Sequence, residues 1–154
     1  MFRHNKRRVL TLRTVKEAMT RNPITVTPQD NIFEVAVIMR DNDTGFVPVV
    51  DSTDSKTLIG VITDRDLVLR GYAEKHSGSS SVEQVMSTSI RTASEDTSVD
   101  EAVELMASQQ IRRLPIVQDG KLIGVVSIGD LAVRHNYVDE AGRALSEISE
   151  QHLH

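Results

Sequence analysis

The chain repeats itself. Residues 15–50 align with 82–117 at a constant offset of 67 without a gap, and Val15, Met19, Thr25, Glu34, Met39 and Pro48 return as Val82, Met86, Thr92, Glu101, Met106 and Pro115. After a three-residue excess in the first copy, residues 57–70 align with 121–134 at an offset of 64, with seven of fourteen positions identical. Leu58-Ile59-Gly60-Val61 comes back as Leu122-Ile123-Gly124-Val125, and Asp66-Leu67 as Asp130-Leu131. A duplicated unit of about 60 residues buries too little surface to be stable alone, so the two copies are expected to fold as a pair. The expected organisation is a basic tail over 1–13, a first repeat over 14–74, a linker over 75–81, a second repeat over 82–136, and a C-terminal helix and tail over 137–154.

Each copy reads as helix, strand, helix, strand, strand, helix. Thr14-Val-Lys-Glu17 and Ser81-Val-Glu-Gln84 have the spacing of a capping box, which predicts a short helix at the head of each repeat. Brief strands follow at Ile24-Thr25-Val26 and Arg91-Thr92-Ala93. The next helix is expected to start at Thr27 with Pro28 in its first turn, and at Ser94 in the second copy. Apolar residues at i, i+3, i+4, i+7 (Ile32, Val35, Ala36, Met39; Val99, Ala102, Val103, Met106) give each helix one buried face. Two strands close the unit, Phe46–Val50 with Leu58–Thr63, and Leu114–Val117 with Leu122–Ser127. Asp119-Gly120 marks a tight hairpin in the second copy, and a longer polar loop replaces it in the first. Helices then run from Asp64 and Ile128 to about Arg70 and Arg134. His76–Ser81 reads as a flexible linker by composition, and 138–149 as a terminal helix.

Charge is unevenly placed. The net charge is −4, yet residues 1–13 hold five basic side chains and no acid, leaving the remainder at −9. An acidic body argues against a broad nucleic-acid surface, and aromatics at 3% with no Trp leave little to stack bases on. No apolar segment follows the basic start as a secretory signal requires, and no stretch approaches a membrane span. The absence of Cys removes disulfides, thiolate metal sites and thiol nucleophiles, and fits a cytoplasmic location.

The residues with chemical promise lie where a strand gives way to a helix: Thr63-Asp64-Arg65-Asp66 and Ser127-Ile128-Gly129-Asp130. A hydroxyl, free backbone N–H groups and a carboxylate at one corner suit a polyhydroxyl or anionic ligand, because a carboxylate accepts from two hydroxyls at once. The same Thr/Ser-x-x-Asp spacing is also a capping box, and the residues alone leave both uses open. Catalysis has less support. Asp64-x-Asp66 resembles the start of an aspartyl-phosphate phosphatase, but Ile128 stands in place of Asp64 in the second copy. Gly124-Val-Val-Ser127-Ile-Gly129 misses the serine-nucleophile elbow by one residue, and neither a dinucleotide fingerprint nor a phosphate-binding Walker loop is present. The five His have no metal-ligand spacing.

The duplication, the hairpin and the doubled Thr/Ser-x-x-Asp ending over residues 14–135 resemble the cystathionine-β-synthase (CBS) domain pair, or Bateman module, and most of all its small stand-alone bacterial members. The resemblance implies an α/β fold of tandem CBS repeats related by pseudo-two-fold symmetry. It also implies clefts for AMP, ADP, ATP, NAD or S-adenosylmethionine, and homodimerisation. Carried onto this sequence, it makes Asp66 and Asp130 ribose ligands beside Thr63 and Ser127. One cleft then combines Arg112, Arg113, Ser127 and Asp130 with Asn22, Pro23 and Ile24; the other combines Thr63, Arg65 and Asp66 with Ser89 and Ile90. Arg112-Arg113 align with Gly45-Phe46, so the Asp130 cleft is expected to prefer a phosphorylated ligand unless those arginines pair with surface acids. The implied function is a non-enzymatic regulatory module that senses an adenine nucleotide and acts on a partner protein. The alternatives are a constitutive interaction scaffold with vestigial clefts and a weak nucleotide hydrolase.

Overall fold

The structure, a computed structural model, describes residues 14–132. The basic tail over 1–13 and the predicted helix over 138–149 lie outside the described residues. The described residues divide into two compact α/β units: Asn22–Arg91 with Asp119–Leu122, and Thr92–Gln118 with 14–21 and 123–132.

In the first unit, strand β2 (Phe46–Val50) pairs antiparallel with β3 (Leu58–Thr63), Phe46 opposite Thr63 and Val49 opposite Gly60. Val26 bridges β2 in parallel at Val49, and Ser87 bridges β3 at Val61. Helix α1 (Ile32–Asn42) buries Ile32, Val35 and Met39 against this sheet. Helix α2 starts as Asp64–Asp66 and continues with a wider, π-type winding over Leu67–Tyr72. The second unit repeats the plan: β1 (Thr20–Arg21), β5 (Lys121–Ser127) and β4 (Arg113–Gln118) lie in that order, with Ala93 bridging Ile116 in parallel. Helix α3 (Val99–Gln109) buries Val99, Ala102, Val103 and Met106, and α4 (Ile128–Ala132) closes the unit.

The packing units are not the sequence repeats. Val15 and Met19, at the head of the first copy, lie in the core made by Val99, Met106, Leu114 and Val126 of the second copy. Val82 and Val85, at the head of the second, lie in the core of Val35, Val47, Val49 and Ile62. Each repeat therefore lends its opening segment to the other's sheet. Val15, Val82 and Val85 are fully buried, and burying a Val-sized side chain contributes about 1.5–3 kcal/mol. Leu-Ile-Gly-Val recurs for the same reason. A Cβ on Gly60 would sit 2.8 Å from the Ser87 carbonyl oxygen, and one on Gly124 would sit 2.9 Å from that of Thr20, so only glycine admits the exchanged segment.

Several local expectations are corrected. The brief strands expected at Ile24-Thr25-Val26 and Arg91-Thr92-Ala93 reduce to single parallel bridges, because only Val26 and Ala93 exchange backbone hydrogen bonds with the sheet, and a paired strand lies earlier, at Thr20–Arg21. The opening helices are single 3-10 turns, Val15–Glu17 and Val82–Gln84, and neither Thr14 nor Ser81 caps with its side chain. The long helices start one turn later than Thr27 and Ser94, with Asn31 and Ser98 as N-caps. Thr27 and Ser94 close turns of their own: Thr27 N–H donates to Asp30 Oδ2 at 2.8 Å, and Ser94 N–H to Thr97 Oγ1 at 3.1 Å. Short polar side chains bond the nearest backbone group, and here that competes with the cap. Ala36 is exposed. The segment expected to be a flexible linker is ordered: His76 N–H donates to Gly71 O, and the carbonyls of Ser80 and Gly78 accept from Ile32 and Phe33 N–H at 3.0 and 3.1 Å. Those two donors belong to the first turn of α1, which has no intrahelical partner for them.

Two predictions arise from these local features. Both long helices end in the left-handed region on a residue other than glycine, Asp43 at φ 50° and Gln110 at φ 56°. Gln110→Gly is expected to raise stability by about 0.5–1 kcal/mol, read from the urea midpoint, because glycine carries no Cβ penalty there. In the loop after β2, Asp51 accepts from the Ser55 hydroxyl and from the N–H groups of Ser52 and Thr57, at 2.7 and 3.0 Å for the latter two. The Ser55 bond first, and then the backbone bonds, hold its carboxyl below the ordinary 3.8. Because the folded value is the lower one, this loop's contribution is present above pH 3.8 and is lost as pH falls through the folded value. Asp51 should titrate below 3.8 when its carboxyl carbon is followed by NMR; a midpoint at or above that value contradicts the geometry.

Candidate functional site

Both strand-to-helix corners form as the repeat requires. In the first unit, Thr63 is the N-cap of α2: its hydroxyl accepts from Asp66 N–H at 3.0 Å, while Asp66 Oδ2 accepts from Thr63 N–H at 3.0 Å. In the second, Ser127 Oγ accepts from Asp130 N–H at 3.0 Å and Asp130 Oδ2 accepts from Ser127 N–H at 3.1 Å. The capping use of the motif is thus realised in both copies. In each, one carboxylate oxygen is spent on the backbone and Oδ1 is left for something else.

That second oxygen distinguishes the corners. Asp66 Oδ1 accepts from the Ser87 hydroxyl at 3.1 Å, and Ser87 Oγ accepts from Arg70 Nη1 at 3.1 Å. Asp66 is the one buried charged residue among those described, at 9% exposure. Asp130 is only partly buried, and among the described residues its Oδ1 has no partner. Neighbouring groups differ too. Arg112 O accepts from Ile128 N–H at 2.9 Å, which fixes the backbone beside Asp130. The side chains of Arg112 and Arg113 are exposed, and neither pairs with an acid among the described residues. Guanidinium groups in that state are available to a phosphate.

The corresponding backbone bond in the first unit runs from Asp64 N–H to Gly45 O at 3.0 Å. A Cβ on Gly45 would lie 2.6 Å from Asp64 Oδ2, so the exchange of Arg112 for Gly45 goes with the exchange of Ile128 for Asp64. Ile128 is buried, whereas Asp64 is exposed and accepts from Arg65 N–H at 2.8 Å. Arg65 is exposed. Ser89, exposed, and Ile90, half-buried, follow Ser87 in the same unit as Asp66, on the segment that Ser87 and Val61 bind to β3 through a reciprocal pair of backbone bonds at 2.8 and 2.9 Å. Asn22, Pro23 and Ile24 belong to this first unit; Asn22 is left-handed at φ 51° and Ile24 is half exposed. The residues that sequence reasoning missed are Ser87 and Arg70. A signal existed, because Thr20 and Ser87 put a hydroxyl at the same place in both copies. Among the described residues no cluster of three His, Cys, Asp or Glu side chains is placed to hold a metal, and no helix is long and apolar enough to cross a membrane.

Known proteins resemble this chain in sequence and fold. The family model for the CBS domain matches residues 15–71 and again 82–134. An uncharacterized Bacillus subtilis protein, YlbB, is 46% identical over 136 residues, covering 88% of this chain and 91% of its own. The CBS domain-containing protein YhcV of the same organism is 42% identical over 141 residues, 92% of this chain and 99% of its own. Among solved structures, CBSX2 in complex with AMP matches with a TM-score of 0.68 at 27% identity, covering 88% of this chain and 98% of that one. With the family matched twice, each corner built from a Thr/Ser-x-x-Asp capping box, and relatives that span nearly its whole length, the chain belongs to the CBS domain family as a tandem pair of repeats.

Proposed function

We propose that this chain is a regulatory module that binds an adenine nucleotide, with AMP, ADP or ATP as first candidates and NAD or S-adenosylmethionine as further ones, and that conveys occupancy to a partner protein. One observation carries the reading: Asp130 is held in place by Ser127 while, among the described residues, its Oδ1 has no partner, and Arg112, whose carbonyl holds Ile128 N–H, and Arg113 are exposed and pair with no described acid. A carboxylate pre-oriented through one oxygen and open at the other accepts from a ribose hydroxyl without reorganisation. Arg112 and Arg113 then take the phosphate. At the other corner the corresponding residues are Thr63, Arg65, Asp66, Ser89 and Ile90, with Asp66 Oδ1 already bonded to Ser87. The bound AMP of CBSX2 supports the ligand class. The chain acts as a homodimer without catalysis in this reading, and ligand matters only through differential affinity for two arrangements.

The test is a thermal-shift panel of AMP, ADP, ATP, NAD and S-adenosylmethionine with Asp130→Ala beside the parent chain. A ligand at a hundred times its dissociation constant stabilises by about 2.7 kcal/mol, which moves the melting point by several degrees at this size. A shift for one nucleotide that disappears in the variant supports the reading. A flat panel favours an interaction scaffold in which both aspartates serve only as helix caps, and phosphate release from ATP above a buffer blank favours a hydrolase.

A further inference from the structure

The two aspartates occupy the same place in the repeat, yet among the described residues only Asp66 is closed. Ser87 is pinned through its backbone to Val61 on β3, so its hydroxyl cannot drift from the Asp66 carboxylate. A serine hydroxyl has one proton; with Arg70 Nη1 donating to its oxygen at 3.1 Å, that proton is directed to Asp66 Oδ1 at 3.1 Å. Thr63 N–H holds Oδ2 at 3.0 Å, so both oxygens are engaged on a carboxylate that is already nine-tenths buried. At the matching place in the second unit stands Thr20, which is exposed, and no hydrogen bond joins it to Asp130. Oδ2 carries one backbone N–H at both corners, so the difference lies at Oδ1: a vicinal diol meets an open Oδ1 at Asp130 and competes with the Ser87 hydroxyl for it at Asp66.

We infer that Ser87, oriented by Arg70, is a selectivity latch that closes Asp66 to vicinal diols, so that each chain takes up one nucleotide, at Asp130. The inference rests on the reading of Asp130 as the ribose acceptor, and its test separates the two. Carboxylate labelling by a carbodiimide and an amine, mapped by mass spectrometry, reads the latch without any ligand: Ser87→Ala is expected to raise labelling of Asp66 about fivefold, roughly the population one net hydrogen bond holds back, and to leave Asp130 unchanged. Unchanged labelling of Asp66 overturns the latch. Calorimetric titration with AMP reads its consequence: one AMP per chain in the parent, two in Ser87→Ala, and one again in Ser87→Thr, which restores the hydroxyl. Two AMP per parent chain, or one per Ser87→Ala chain with Asp66 now labelled, overturns the selectivity. If no variant binds AMP, the assignment of Asp130 fails, and the labelling ratio alone decides whether Ser87 closes Asp66.

Discussion

Asp130→Ala is expected to weaken AMP binding by at least about a hundredfold, because two hydrogen bonds to a charged acceptor at about 1.5–3 kcal/mol each are lost together. The same substitution removes the acceptor for Ser127 N–H and costs about 1 kcal/mol of helix-cap stability, so the two effects have to be read on separate axes. Calorimetric titration well below the melting point reports the first, and urea unfolding without ligand reports the second. Arg113→Ala should lower affinity for AMP while leaving adenosine nearly unaffected, since the guanidinium faces only the phosphate in this reading. Equal loss for AMP and adenosine would reassign Arg113 to a structural part. Retention of parental AMP affinity by Asp130→Ala would leave the corner as a cap and nothing more.

The largest expected effect on stability falls on two glycines. Gly60→Ala and Gly124→Ala should each destabilise by about 1–3 kcal/mol, because the added methyl meets a backbone carbonyl oxygen that a rotamer change cannot move. The sign is what makes this informative: alanine at a glycine whose backbone conformation it tolerates ordinarily stabilises by about 0.4–1 kcal/mol. Gly129 is the internal control. It lies in α4, where among the described residues a Cβ would meet Ser127 Oγ at 3.7 Å and nothing nearer, an ordinary contact, so Gly129→Ala should be neutral or stabilising. Urea midpoints of the three variants check the set. If Gly60→Ala and Gly124→Ala matched Gly129→Ala, the close approach of the exchanged segments would be refuted.

Those exchanged segments also show where sequence reasoning reaches its edge. Apolar spacing placed α1 and α3 and three of the four or all four of their core residues, because that spacing is set by the geometry of a single helix. The limits of the four hairpin strands are legible to within a residue, whereas β1 at Thr20–Arg21 is not, and Asp119-Gly120 turns with both residues at positive φ, 52° and 78°, as the hairpin signal requires. Caps were read less well. Thr27 and Asn31 are both competent N-caps, and which one serves depends on whether Asp30 closes a turn onto Thr27 first. The serine-rich segment after His76 looked mobile by composition, but its carbonyls serve donors at the start of α1, more than forty residues earlier in the chain.

The candidate site divides along the same line. Thr63, Asp66, Ser127 and Asp130 were visible because the motif is local and doubled, and each pair bonds within one turn. Ser87 and Arg70 were not, since their bond to each other and to Asp66 spans segments that nothing in the linear pattern brings together.

What the amino-acid sequence determined by itself is therefore a duplicated α/β unit, its helix faces, its hairpin and two equivalent carboxylate corners, all of them consequences of short-range periodicity and turn chemistry. Only the tertiary structure decided that each repeat lends its opening segment to the other's sheet, and that this loan carries a serine onto Asp66 but leaves Asp130 open. The physical reason is that burial of Val15, Val82 and Val85 can be satisfied by either copy's nearly identical core, and the sequence of each core does not say which opening segment it will receive.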